Sequence, residues 1–344
     1  MKRFIAGTLL CVSGALCATM VGAQPAATNP CHSFDDPMQR LACYDRATGL
    51  PPSPSSPRPG SDAPLPAARP AGPVSSVEPA SLLAASWASA PGAERYPLQY
   101  HHANYLLVAR YTDDVNNKPF SPLFNAAGVP DQELDATEAK FQFSGRLRFW
   151  ATDDRRWGAW VAYTQQSQWQ VYNADVSRPF RETNYMPEVF VSMNPDLAWG
   201  GWRWGLANVG FVHQSNGRAD PLSRSWDRVY AQVGAENGNL ALSLKVWSRL
   251  SEDEKEDDNP DITDYLGHGQ LDAVYRWRGH SFTGMARGNV GTGKGAAQVG
   301  WFSPRLLGPL RGYVQVFSGY GESMIDYNWR QTTVGVGLAL SDGF

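Results

Sequence analysis

Residues 224–246 read RSWDRVYAQVGAENGNLALSLKV, and the apolar side chains recur at every second position. Asp227, Val229, Ala231, Val233 and Ala235 share one face of an extended segment, while Arg224, Trp226, Arg228, Tyr230, Gln232 and Glu236 share the other. The alternation resumes with Leu240, Leu242, Leu244 and Val246 set against Ser243 and Lys245. One apolar face and one polar face suit a wall with lipid outside and a polar interior. The same period recurs earlier, where Phe141, Phe143, Leu147 and Phe149 alternate with Gln142, Ser144, Arg146 and Arg148. At the end of the chain, Val334, Val336, Leu338 and Leu340 alternate with small or polar residues until Phe344. No long stretch offers a comparable helical stripe.

Working outward, twelve strand candidates follow. They lie at 104–112, 138–150, 157–170, 184–194, 202–215, 224–236, 239–249, 266–276, 280–290, 295–302, 311–319 and 332–341. An even number permits closure of an antiparallel barrel. The expected fold is therefore all-β, a twelve-stranded antiparallel transmembrane β-barrel. Alternation alone also permits a secreted β-sandwich. The terminal aromatic, Phe344, favours the barrel.

Composition agrees with that reading. The 344 residues include 13 Trp, 14 Tyr, 14 Phe and 33 Gly, enough for aromatic girdles and for crowded or turning strands. A net charge of -3 gives no electrostatic reason to expect a nucleic-acid partner. Lys2 and Arg3 precede an apolar run from Phe4 to Val21 that ends in small residues, so residues 1–23 read as a secretory signal peptide. A membrane anchor is the weaker reading because the run is barely long enough to span. No later stretch holds the ~20 consecutive apolar residues of a spanning helix, so further insertion would need a closed barrel.

Residues 24–50 form a short periplasmic segment carrying Cys31 and Cys43. Outside the cytoplasm, two nearby cysteines point to a disulfide; His32 alone does not complete a metal ligand set. The Leu-Ala-Cys-Tyr-Asp portion of this segment resembles a small module at the start of several bacterial envelope proteins. Residues 51–80 hold ten prolines among Ser, Ala and Gly. Such a stretch lacks the apolar content to offset its ordering entropy, and 51–95 is expected to be an extended tether. The barrel is then expected over 96–344.

The densest polar information is GFVHQSNGRADPLSRSWDRVY, residues 210–230. NGRADP is rich in turn formers and divides two strand-like halves. A hairpin symmetric about Asp220 sets His213 opposite Asp227, Ser215 opposite Ser225, Phe211 opposite Val229 and Val209 opposite Ala231. His213, Ser215 and Asp227 then interrupt an apolar, lipid-facing patch near its turn end. Ser215 lies ~6.6–6.8 Å along the strand from His213, within reach after side-chain rotation. Asp227 could fix the imidazole tautomer, His213 accept the serine proton and Ser215 attack an ester carbonyl. The three residues equally allow a structural hydrogen-bond network, or a metal or other polar site.

The wider sequence resembles the bacterial outer-membrane phospholipase A family. The resemblance runs through YTQQSQWQ (163–170), RPFRETNYMPEVF (178–190), HQSNGRADPLSRSWDRVY (213–230), DDNPDIT (257–263) and YVQVFSGYGESMIDYNWRQTTVGVG (313–337). It implies a serine and histidine on the outer barrel surface near the extracellular leaflet of a Gram-negative outer membrane. Ser215 is then nucleophile, His213 base and Asp227 the orienting member, where the best-known branch carries asparagine. The implied reaction is calcium-dependent hydrolysis of glycerophospholipid acyl esters at sn-1 and sn-2, lysophospholipids included. It further implies an active homodimer, with an inactive monomer possible, and membrane phospholipids as substrate.

By matching motif positions, Ser223 and the Arg218 carbonyl are candidate calcium contacts, with Ser177 contributed by a second copy. Asp220 and Asp258 match a second, monomer-associated calcium site. Asp258 lies in SEDEKEDD (251–258), which also reads as a solvated acidic loop. Gln165 matches a position of subunit contact, although a strand glutamine also reads as a lumen residue. A non-enzymatic porin and a hydrolase acting on lipid A remain competing readings, separable by conductance and by product analysis.

Overall fold

The computed structural model describes residues 30–36, 39–40, 43–44, 81–128, 133–175, 177–253, 255 and 257–343. The expected signal peptide, most of the expected tether and Phe344 lie outside the described residues. The chain divides into two units, Met1–Pro73 and Val74–Phe344. In the first, a 3-10 turn spans Pro30–Ser33, and a disulfide joins Cys31 to Cys43 across a separation of 12 residues.

The second unit is built from strands. In chain order they are β1 (Leu98–Tyr100), β2 (Asn104–Thr112), β3 (Thr137–Ala151), β4 (Trp157–Trp169), β5 (Phe180–Met193), β6 (Leu197–Trp199) and β7 (Trp202–Ser215). They continue as β8 (Ser225–Asn237), β9 (Leu240–Arg249), β10 (Gly269–Trp277), β11 (His280–Asn289), β12 (Lys294–Leu307), β13 (Leu310–Tyr320) and β14 (Arg330–Ser341). β1 and β6 are three-residue ribbons paired to β3 and β7; the remaining twelve form one antiparallel circuit. β14 pairs β2, and β3 pairs both β2 and β4, so the sheet closes. Closure removes the free edges that lipid could not satisfy.

Burial follows the parity of the strands. Val209, Val229, Val233, Leu244, Val246, Val334 and Val336 are exposed on the outer face. Trp160, Trp226, Tyr230, Phe302 and Phe317 are buried. Buried charges accompany them, several in ion pairs that offset the cost of removing them from water. Arg110 Nη1 donates to Glu138 Oε1 (3.0 Å), and Arg181 donates to Glu138 and, from Nη1, to Asp326 Oδ2 (2.9 Å). Lys140 Nζ reaches Glu322 Oε1 at 2.9 Å, and Arg110 also pairs with Glu322.

The tether ends earlier than the proline content suggests. Leu82–Trp87 form a short helix, α1, whose N-terminus is capped by the Ser81 hydroxyl accepting from the Ala84 N–H at 2.9 Å. Leu83 is fully buried, and its N–H donates to Glu236 Oε2 at 2.9 Å. Trp87 packs edge-on against Trp160 and Phe190, with the Arg146 guanidinium 3.7 Å above its ring. The dense proline run ends at Pro79, and Ser-Leu-Leu-Ala-Ala-Ser-Trp restores enough apolar surface to order the chain. Burial of a leucine such as Leu83 contributes ~1.5–3 kcal/mol. The ordered barrel unit therefore takes in residues 81–95, which the proline content had assigned to the tether.

The turns are short at one end of the barrel: β8–β9, β10–β11 and β12–β13 are each joined by two residues. The other end carries longer connections, including 113–136 with helix α2 (Ser121–Ala126) and 250–268 with helix α3 (Ile262–Leu266). There Phe120, Leu134, Leu222 and Ile325 pack together, drawing the β2–β3, β7–β8 and β13–β14 loops into one apolar cluster.

Candidate active site

β7 and β8 pair in the register that hairpin symmetry predicts: Val209↔Ala231, Phe211↔Val229, His213↔Asp227 and Ser215↔Ser225. The lumenal face holds that register. Trp226 is fully buried with its indole N–H on Gln214 Oε1 (3.1 Å), and Arg228 Nη2 donates to the same oxygen at 2.8 Å. A one-residue slip would turn Trp226 and Arg228 into lipid and bring Asp227 inside. The outer face is thereby determined by the inner one.

On that outer face, His213 Nδ1 lies 2.8 Å from Asp227 Oδ1, and His213 Nε2 lies 3.0 Å from Ser215 Oγ. With the ring proton on Nδ1, the imidazole donates to the carboxylate and accepts from the serine hydroxyl. The His213 and Asp227 side chains are 40% and 36% exposed, so the linked groups are open to an approaching ester. Serine, imidazole and carboxylate in this order can activate a nucleophile.

The loop after Ser215 is organised by a residue that sequence reasoning passed over. Asn216 is buried; its Oδ1 accepts the N–H groups of Arg218 (3.3 Å) and Arg224 (3.0 Å), and its Nδ2 donates to the Leu222 carbonyl at 2.8 Å. An asparagine bonding the amide two residues on is turn chemistry that the NG dipeptide carries in outline. Gly217 follows at φ +63°, a left-handed conformation, with the Tyr185 ring alongside. The Gly217 amide has no partner among the described residues. Asn259, fully buried, accepts the Ser225 N–H at 2.9 Å, and the Leu250 N–H bonds the Asp227 carbonyl at 2.8 Å.

Of the calcium candidates, Ser223 and Asp258 are in direct contact, the hydroxyl donating to Asp258 Oδ2 at 2.5 Å. The Arg218 side chain turns away to the Phe180 and Arg181 carbonyls, while its own carbonyl accepts no hydrogen bond among the described residues. Asp220 is exposed in the same loop, and Ser177 is exposed in the β4–β5 loop. Among the described residues, no three acidic or imidazole groups converge at this hairpin. The available donors are hydroxyl, carbonyl and carboxylate oxygens, a set chemically suited to calcium. Gln165 lies opposite Phe143 and Tyr185, both exposed, so it faces outward rather than into the lumen.

The family model for phospholipase A1 matches residues 85–340. The chain belongs to the phospholipase A1 family. Phospholipase A1 of Klebsiella pneumoniae is 40% identical over 247 residues, covering 71% of this chain and 82% of the relative. Phospholipase A1 of Escherichia coli K12 is 39% identical over 252 residues, covering 72% and 83%. The solved outer membrane phospholipase A from Escherichia coli superposes with a TM-score of 0.66 at 38% identity, over 72% of this chain and 99% of that one. A Salmonella typhi outer membrane phospholipase dimer with bound calcium gives 0.69 at 36% identity, over 77% and 100%. As a phospholipase A1 family member, the protein is a phospholipid-cleaving ester hydrolase of the outer membrane.

Proposed function

We propose that Ser215, His213 and Asp227 are the catalytic residues, and that they cleave acyl esters of glycerophospholipids at sn-1 and sn-2, lysophospholipids included. The observation that carries this reading is the outward chain of contacts from Asp227 through His213 to Ser215, at 2.8 and 3.0 Å. His213 Nε2 takes the Ser215 proton as Oγ bonds to the ester carbonyl carbon. The Gly217 N–H is our candidate donor to the developing oxyanion. Collapse breaks the ester C–O bond, and His213 returns the proton to the departing alcohol. Water then enters by the same base, releasing the fatty acid and restoring the Ser215 hydroxyl. Asp227 keeps the imidazole in the required tautomer and stabilises it when charged.

We assign Asp220 and Asp258 to a monomer-associated calcium site, and Ser223, the Arg218 carbonyl and Ser177 of a second copy to calcium beside Ser215. When bound, the ion supplies positive charge toward the oxyanion formed beside Ser215. The active form we propose is a homodimer, its site near the extracellular leaflet and its N-terminal segment in the periplasm. Support comes from the long loops at the Ser215 end and the outward phase of Gln165, which resembles a subunit-contact position.

The test is fatty-acid release from purified phospholipid by refolded protein at saturating calcium, compared with Ser215→Ala. Release that persists in Ser215→Ala removes the assignment. Release from lipid A but not phospholipid would require a different substrate. Molecular mass followed with activity across detergent dilution tests the dimer; full activity in a strict monomer rules it out.

A further inference from the structure

We propose that His101, His102 and Glu188 form a divalent transition-metal site inside the barrel, of zinc type, separate from the surface hairpin. In a continuous strand, consecutive side chains point to opposite faces. The bend between β1 and β2 breaks that rule and brings the His101 and His102 rings within 4.3 Å of each other, centroid to centroid. The bend is itself held: the His102 N–H donates to Ser144 Oγ (3.0 Å), and Asn104 Nδ2 donates to the carbonyls of His102 and Ser144.

Both imidazoles address one carboxylate oxygen of β5. His101 Nε2 lies 2.8 Å and His102 Nε2 3.8 Å from Glu188 Oε1, and one donor atom from each of the three residues falls within 4.8 Å of the others. Tetrahedral zinc with ligand bonds of ~2.0–2.2 Å sets its donors roughly 3.3 Å apart, so modest side-chain movement would seat the ion. The His101 and Glu188 side chains are 5% and 1% exposed, while the His102 side chain, at 36%, leaves one side of the site open to an incoming ion. Lys245 Nζ stands 3.7 Å from Glu188 Oε2, which leaves Oε1 as the single ligating oxygen. A cavity of about 320 Å³ lined by all three residues can admit water as a fourth ligand.

Two imidazoles and one carboxylate are donors that select zinc-like ions over calcium. The ion would tie the α1–β1 arm to the barrel wall at β5. The rival reading is that Glu188 serves only as counter-ion to Lys245 and Arg146, with the histidines as hydrogen-bonding neighbours. Full-length protein in detergent, stripped by chelator and held in saturating calcium, is dialysed against zinc and its bound metal counted. Cobalt is then substituted and its visible absorption recorded.

One tightly held zinc is expected in the unchanged protein and in His213→Ala, with a raised melting temperature and a cobalt spectrum of low coordination number. Glu188→Gln and the double variant His101→Ala/His102→Ala should lose affinity by more than the ~10–100-fold that removal of an outer partner costs. Absence of bound zinc in the unchanged protein overturns the site, as does equal binding by Glu188→Gln. The unchanged protein and Glu188→Gln decide the matter even where the double variant does not fold.

Discussion

Ser223 donates its hydroxyl hydrogen to Asp258 across 2.5 Å, joining the loop that follows Ser215 to the acidic loop that follows β9. Calcium taken up at either side chain would have to break or share this contact, which couples the two proposed calcium sites. Asp258→Ala should raise the calcium concentration needed for half-maximal fatty-acid release by about tenfold, because ligand charge sets calcium affinity. The barrel's melting temperature should change little. An unaltered calcium titration would remove Asp258 from the proposed ligand set.

Asp227 receives the imidazole at 2.8 Å, so its replacement separates orientation from charge. Asp227→Asn keeps an oxygen that accepts the Nδ1 proton and should retain appreciable activity, as expected from the resemblance to an asparagine-bearing branch. Asp227→Ala should lose on the order of 10³–10⁴-fold, since tautomer and orientation go together. Initial rates with dimer content and unfolding matched are the measurement. Equal rates in Asp227→Ala and the unchanged protein would sink the assignment.

Asn216 touches no substrate in this scheme, yet it holds the amides of Arg218 and Arg224. Asn216→Ala leaves those part-buried groups short of partners, at a cost of up to ~1–3 kcal/mol confined to the loop. We expect kcat to fall more than KM rises, with strand content unchanged by circular dichroism. A purely structural role would instead lower the melting temperature without touching kcat.

The charges at the long-loop end predict the response to acid. Burial disfavours charge on Asp326 and Glu322, but Arg181, together with Ser323 and Asn116, outweighs it for Asp326, and Arg110 and Lys140 outweigh it for Glu322. Both carboxyls are held below their usual range. Their stabilisation is therefore complete above the unfolded carboxylate range, ~4, and drains away as pH falls toward the folded values. Melting temperature should be flat from neutrality down to that range and then drop. Asp326→Asn should show a shallower drop; an identical slope would show that this group is not responsible.

Deleting residues 24–80 should leave lipid hydrolysis and barrel stability intact. Extending the deletion through residue 95 removes Leu83 and Trp87 from the interior and should lower the melting temperature markedly. Trp87→Ala alone should cost ~3–5 kcal/mol, the range for a large buried aromatic. Equal stability of the two deletions would show that α1 contributes nothing.

Strand parity is local, and for that reason it was readable. The period of two in 224–246 marks the barrel, and the turn formers of NGRADP align His213 with Asp227 through neighbouring residues alone. What sequence alone left open depended on residues far apart in the chain. Leu83 finds Glu236 at a separation of 153 residues, and Ser223 finds Asp258 at 35. Gln165 could face lipid or lumen until Phe143 and Tyr185 took their places on either side. His101 and His102, adjacent in the chain, share an interior site with β5 only because a bend reverses one of them. Period and turn chemistry lie within a few neighbouring residues, whereas closure of the sheet decides which distant side chains meet.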